Sequence, residues 1–167
     1  MEARAKLFGH PIHQMLIVFP LGLLATSFFF DIGWMATKRG GLAIAAWYMI
    51  AAGIIGGLLA AVFGLIDWLG IPSGTRAKAI GAWHGGGNVV VVALFAGSWW
   101  LRRGTVEVPP TAAFVLSGLA VGIALVTGWL GGELVDRLGV GVDDGAHVNA
   151  PSSLSGRPAR DNAHRAA

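Results

Sequence analysis

The sequence predicts an all-α fold, an integral membrane antiparallel four-helix bundle. Of the 167 residues, 54% are apolar and 13% are charged, whereas soluble domains carry about 25% charged residues. Four apolar stretches are each long enough to cross a hydrocarbon core of about 30 Å, which takes about 20 residues. Short loops join these stretches, so neighbouring helices should run antiparallel. The predicted spans are residues 11–35, 42–69, 80–101 and 111–135.

The first predicted element is an N-terminal segment, residues 1–10, which enters the first span through "GHPIHQ". Pro11 suits the first position of a helix. His10 and His13 are three residues apart, so they share a helix face, with His13 about one turn deeper. We expect this segment to be retained, because its apolar run is too long for a secretory signal and lacks a small-residue cleavage site. Pro20 should interrupt the helix about one turn before its own position.

Small residues mark the spans that follow. In the second span, Gly53, Gly57 and Ala61 recur every four residues, a spacing that lets helices approach closely in lipid. The third span places His84 before three consecutive glycines, which leave room for a flat or bulky group, and Asn88 lies one turn further on. The fourth span repeats the small-residue pattern of the second with Gly118, Gly122, Gly128 and Gly132.

The two halves of the chain resemble each other. Histidines open each odd-numbered span, His10 and His13 in the first half and His84 in the second, while glycines and an acidic residue close each even-numbered span, in "FGLIDWLG" and "TGWLGGELVD". This pattern predicts a parallel duplication about an axis normal to the membrane.

The charge distribution predicts the topology. The net charge is +3, but the basic residues are scattered over loops and tail rather than gathered in a stripe, which argues against a nucleic-acid partner. A modest excess of basic residues on the side of the termini places both termini in the cytoplasm, and the protein in the inner (cytoplasmic) membrane. We therefore expect a cytoplasmic segment 1–10, a transmembrane domain 11–142 and a mobile polar tail 143–167.

Threading the four spans brings five ionisable residues to one membrane level. Ionisable residues within spans cost on the order of 3 kcal/mol near the bilayer centre, so such a group is a candidate functional site. Asp31 shares the face of His13 but should lie at the opposite interface, roughly 27 Å away, too far to join them. The five residues are His10, His13, Asp67, His84 and Glu133.

One chemistry that suits these residues is a b-type haem, which takes one axial histidine from each of two facing helices. His13 and His84 are the predicted axial pair, because two histidines three residues apart on one helix cannot lie on opposite sides of one iron. Arg76 is a predicted partner of the haem propionates, and Asn88 could hydrogen-bond to a ligand. Arg4 and Lys78 are alternatives to Arg76.

The other chemistry is a Zn, Cu or Fe ion. The chain has no cysteine, so any metal must be held by nitrogen and oxygen ligands. The candidate metal ligands are His10, His13, His84, Asp67 and Glu133.

Each of these residues also has a purely structural interpretation. His10 before Pro11 would serve as a helix cap, and Asp67 and Glu133 would pair with basic groups at the headgroups. The sequence has no phosphate-binding loop, nucleophile elbow or zinc-protease motif. We therefore expect an electron-transfer or accessory subunit rather than an enzyme that transforms a substrate. The alternatives are an assembly subunit docked on a larger membrane complex and a metal-handling membrane protein. The expected partners are the lipid bilayer and either a larger membrane complex or further copies of the chain in a homo-oligomer.

Four motifs carry a resemblance to a known family: "GHPIHQMLIVFPLGLL", "GLIDWLG", "GAWHGGGN" and "TGWLGGELVDRLGVGV". Over about residues 8–142 the chain resembles the bacterial and archaeal four-helix membrane proteins of domain of unknown function 2231. A distant similarity of that family to membrane cytochrome b bundles implies haem binding and electron transfer. Leu138 stands where members often have histidine, which implies fewer nitrogen ligands from the fourth helix. The family pattern falls on His10, His13, Asp31, Asp67, His84 and Glu133.

Overall fold

The computed structural model describes residues 1–161 and contains four helices that are long and apolar enough to cross a membrane. The predicted all-α four-helix membrane fold is therefore confirmed. Two short strands, β1 and β2, and a one-turn helix, α1, precede the long helices α2 to α5. The elements are β1 (Lys6–Leu7), β2 (His10–Pro11), α1 (Ile12–Leu16), α2 (Val18–Thr37), α3 (Gly40–Gly70), α4 (Arg76–Leu101) and α5 (Thr111–Gly132). A π-helical turn (Glu133–Arg137) and a 3-10 turn (Ser153–Ser155) follow.

Local chemistry sets the helix ends. The first span is divided at Ile17 into α1 and α2, because Pro20 has no N–H to donate to the carbonyl of Leu16. Lys38 ends α2 in the left-handed conformation, with φ of 56°. The third span begins earlier than the sequence predicts, at Arg76, because the side chain of Thr75 caps α4 by accepting a hydrogen bond from the Lys78 N–H at 3.2 Å.

The helices pack in a ring in which each contacts two others. α2 packs on α3 and α4 on α5, while α3 contacts α4 and α2 contacts α5, so α2 and α4 lie on one diagonal. The buried apolar core between the four helices is formed by Leu24, Ile50, Val91, Phe95 and Ala120.

The glycines of the second and fourth spans differ in their surroundings. A Cβ added at Gly53 would lie 2.6 Å from Leu24, so α2 and α3 touch there because of this glycine. Added Cβ atoms at Gly122, Gly128 and Gly132 would meet no atom within 4 Å. Among the residues that the structure describes, the fourth-span glycines therefore pack closely only at Gly118, where an added Cβ would lie 3.6 Å from Phe28.

The internal repeat is visible in the burial of equivalent residues. Asp31 and Arg102 are 71 residues apart, the same separation as His13 and His84. Residues at this separation in α2 and α4 share full or nearly full burial, and a second constant separation relates α3 to α5 in the same way. The buried equivalent pairs are Ser27 and Ser98, Leu24 and Phe95, Asp31 and Arg102, Ala46 and Ala113, Ile50 and Ser117, and Ala60 and Thr127.

The terminal segments fold together over the end of the bundle where α1 and α4 begin. The ammonium of Lys6 lies 2.8 Å from the carboxylate of Glu2 and 2.5 Å from that of Asp143. Hydrogen bonds to Asp143 and Glu2 raise the pKa of Lys6, and Lys6 in turn lowers the pKa of Glu2. Part of the segment predicted to be a mobile tail thus contacts the N-terminal segment, while His164 and Arg165 lie outside the described residues.

Candidate functional site

The two histidines of the spans make the same contact in both halves of the chain. The Nδ1 atom of His13 lies 2.8 Å from the carbonyl oxygen of Ala60, and Nδ1 of His84 lies 2.8 Å from that of Thr127. Each imidazole also crosses a glycine one turn further along the neighbouring helix. A Cβ added at Gly64 would lie 2.9 Å from the His13 ring, and one at Gly131 would lie 3.0 Å from the His84 ring.

These contacts define the protonation of both rings. A carbonyl oxygen can only accept a hydrogen bond, so Nδ1 of His13 and of His84 carries the proton and donates it. In a neutral imidazole the other nitrogen, Nε2, then carries the lone pair. A backbone carbonyl that holds Nδ1–H is the usual partner of a histidine that binds a metal through Nε2. Both rings are therefore held in the state that a ligand requires.

His84 has an additional partner that His13 lacks. The side-chain nitrogen of Asn88 lies 3.2 Å from Nε2 of His84, and its oxygen accepts a hydrogen bond from the Thr127 hydroxyl at 3.0 Å. Because Nε2 carries the lone pair, Asn88 donates to it. At the equivalent positions of the first half, Ile17 and Ala60 have no polar side chain. The duplicated site is therefore asymmetric, with one lone pair already engaged.

Asp67 forms hydrogen bonds with the N-terminal segment. Its Oδ1 accepts hydrogen bonds from the backbone N–H groups of Arg4 at 2.7 Å and Ala5 at 3.0 Å. The side chain is nearly buried, with 9% exposed, so the two N–H groups provide the partners that a buried carboxylate needs. Asp67 ties the start of the chain to the end of α3.

The other predicted residues also have local partners. Glu133 pairs with Arg76 at 2.5 Å, and Nε2 of His10 lies 3.3 Å from the hydroxyl of Ser153 in the C-terminal segment. Within residues 1–161, no three histidine, aspartate or glutamate side chains are grouped so that they could hold one ion. The five predicted ligands thus do not come together as one metal centre. The structure pairs His13 with His84 as equivalents, and the other three have local partners of their own.

Sequence reasoning missed a second polar site at the opposite end of the bundle. Asp31 and Arg102, both fully buried, form a two-pronged salt bridge with two N–O distances of 2.6 Å. The hydroxyls of Ser98 and Ser117 accept further hydrogen bonds from the guanidinium at 3.2 to 3.3 Å. The helical spacing from His13 locates Asp31 at the far interface but does not indicate its partner. The signal that could have found Arg102 is the spacing that it shares with the two histidines.

Comparisons with known proteins give one result. No curated protein and no solved structure matches the chain, so the similarity to cytochrome b bundles stays a prediction. The sequence model of the family described as "Predicted membrane protein (DUF2231)" matches residues 9–144, which is most of the chain. The match includes both span histidines, Asp31 and Arg102. The chain therefore belongs to the DUF2231 family of predicted membrane proteins.

Proposed function

We propose that the protein is a small electron-transfer subunit of the membrane that binds one b-type haem through His13 and His84. The observation that carries the proposal is the matched orientation of the two imidazoles, each held at Nδ1 by a carbonyl with Nε2 left for a ligand. His13 lies in α1 at the start of the first span, and His84 lies in α4 near the start of the third span. Bis-histidine ligation of a haem takes one ligand from each of two facing helices.

Three neighbouring residues support the proposal. Gly64 and Gly131 let the rings lie against the neighbouring helices, and added Cβ atoms there would press on them. Arg76 lies at the same end of the bundle with 59% of its side chain exposed, so a propionate could share it with Glu133. A bound haem would supply one-electron chemistry, while the protein chain would hold the axial nitrogens in their deprotonated state and set their direction.

An absorption spectrum of the purified protein tests the proposal. After expression with added haem precursor, we expect a Soret band and, after dithionite reduction, sharp α and β bands. His13→Ala and His84→Ala should abolish these bands. The matched control is His10→Ala, because His10 lies in β2 and contacts Ser153 instead of a neighbouring helix. A folded, colourless wild-type protein would refute the proposal. Stoichiometric Zn, Cu or Fe in that colourless protein would favour an ion held by the same two histidines.

The second candidate is a docked accessory subunit, and the outward face of α5 favours it. A Cβ added at Gly122, Gly128 or Gly132 would meet no atom of residues 1–161 within 4 Å, although small residues in membrane helices often lie at helix contacts. Replacing Gly128 by Leu should then release the protein from a larger complex in native electrophoresis of the membrane. The control is Leu125→Ala, which changes a neighbouring exposed position without adding bulk. Unchanged migration of the Gly128→Leu protein would reject this candidate.

A further inference from the structure

The internal repeat provides two equivalent crevices between helices, and the structure fills only one of them. In the crevice between α3 and α4, Trp47 and Trp99 stack with ring centroids 5.2 Å apart and planes 16° apart. Their indole N–H groups are buried and have no hydrogen-bond partner within residues 1–161. This crevice is therefore closed by aromatic packing.

The equivalent crevice between α2 and α5 carries smaller side chains. By the spacing of the repeat, Phe28 stands in the place of Trp99, and Phe114 in the place of Trp47. Two phenyl rings replace two indoles, and a groove of about 520 Å³ opens there. Its volume lies within the range of about 300–1,000 Å³ that is typical of ligand sites.

The groove is apolar along its length and positively charged at one end. Phe28, Phe114 and Gly118 line its walls, and Trp34 stacks on Phe114 with ring centroids 5.2 Å apart. Lys38 lines the end near the membrane interface, where its ammonium lies 4.4 Å from the centre of the Trp34 ring.

The charge of Lys38 is not neutralised by a carboxylate. Within residues 1–161, the salt bridges of the structure do not include Lys38. Arg39 follows it in the chain, and the nearby acidic residue, Glu107, lies with its side chain against Gly40. Asp31 on the same helix is occupied by Arg102. The end of the groove thus offers a cation at headgroup level to a ligand.

We propose that this groove binds one anionic phospholipid, with an acyl chain between Phe28 and Phe114 and the phosphate at Lys38. An amphiphile of this kind matches both features, because its apolar chain ends in a negative charge at the interface, where basic residues attract anionic lipid. A neutral lipid would fill the groove without using the charge. If a second copy of the chain occupied the groove instead, it would need to place a negative group opposite Lys38.

Native mass spectrometry of the intact protein, released from detergent after titration with phosphatidylglycerol or phosphatidylcholine, tests the proposal. We expect one phosphatidylglycerol to be retained preferentially. Lys38→Gln should weaken its retention about fivefold, the contribution of one basic residue at an anionic surface. The matched control is Arg103→Gln, since Arg103 lies over Trp100 and outside the groove. It should retain the lipid as the wild type does.

A second pair of variants tests the groove itself. Phe28→Trp with Phe114→Trp should fill it as Trp47 and Trp99 fill the other crevice, and the bound lipid should be lost. Trp47→Phe with Trp99→Phe should keep the lipid at the original groove. Equal retention of the two lipids by the wild type would overturn the proposal, as would full retention by a helical Phe28→Trp, Phe114→Trp protein. The proposal would also be overturned if the wild type were a lipid-free dimer that the Phe28→Trp, Phe114→Trp substitutions dissociate. A second copy of the chain would then be the occupant of the groove.

Discussion

At the scale of single residues, the two halves differ at their buried polar positions. His13 and His84 share a backbone partner and a glycine contact, but only His84 has an amide, that of Asn88, on its second nitrogen. At the opposite end of the bundle, the equivalent positions carry opposite charges, Asp31 and Arg102. A duplicated frame therefore holds non-identical side chains at the positions nearest the axis, and each difference can be tested against its counterpart.

Asn88 competes with any ligand of His84. Asn88→Ala removes one hydrogen bond, whose net contribution is about 1 kcal/mol, so we expect haem to bind about fivefold more tightly in an optical titration of the apoprotein. Ile17→Ala, at the equivalent position of the first half, is the matched control and should leave the affinity unchanged. Weaker binding by the Asn88→Ala protein would show instead that Asn88 supports the bound state.

The buried salt bridge predicts a large loss of stability when one partner is removed. Asp31→Ala would leave the guanidinium of Arg102 buried without its carboxylate, at a cost of about 3–5 kcal/mol. Exchanging the two charges, with Asp31→Arg and Arg102→Asp in one chain, should recover part of the loss, because the two positions are equivalent in the repeat. Chemical unfolding in micelles, followed by circular dichroism, measures both effects. Arg157→Ala, which breaks an exposed pair with Asp161, is the control and should leave the stability nearly unchanged. A single Asp31→Ala variant as stable as the wild type would contradict this account.

At the scale of the helices, the contacts of glycines separate positions that shape the site from those that face outward. Gly131 lies against the His84 ring, whereas a Cβ added at the adjacent Gly132 would meet none of the described atoms within 4 Å. Both belong to α5, but the four-residue spacing of small residues includes Gly132 and not Gly131, so the spacing alone does not identify the glycine that contacts the histidine. The difference comes from the rotation of α5 about its own axis, which only packing against α4 determines.

Gly131→Val should therefore displace the imidazole of His84, because the added Cβ would lie 3.0 Å from the ring and such overpacking costs about 1–3 kcal/mol. The expected result is a weaker or high-spin haem spectrum together with a lower unfolding midpoint. Gly132→Val is the matched control one position away and should change neither. Equal effects of the two substitutions would mean that helix propensity, and not contact with His84, is responsible.

At the scale of the whole molecule, each half is a pair of antiparallel helices whose buried face meets the other half. We expect residues 1–71 and 72–167, produced as separate chains, to assemble in the membrane through these faces. The cut between them falls in the short loop from Ile71 to Thr75. Affinity purification of one tagged half should recover the other. Asp31→Arg in the first half should prevent recovery, and Arg102→Asp in the second should restore it. Failure of the unmodified halves to associate would show that the connection is required.

The sequence predicted the frame of this molecule better than its polar contacts. Apolar runs and proline chemistry gave the four spans and the interruption before Pro20, because these depend on length and on local backbone groups. The hydrogen-bond and ion-pair partners of Asp67, Glu133 and His10 could not be predicted in the same way. They depend on how the terminal segments return over the bundle, and nothing in the local sequence encodes that path. The pairing of Asp31 with Arg102 follows from the diagonal arrangement of α2 and α4.

That diagonal pairing has a consequence for the history of the chain. Two copies of the first half, related by symmetry, would bury two carboxylates side by side, and two copies of the second half would bury two guanidiniums, each arrangement being strongly repulsive at low dielectric. Once Asp31 and Arg102 had diverged, neither half could form a stable dimer with a second copy of itself. The opposite charges thus act as a one-way step, after which the two halves could only be inherited together.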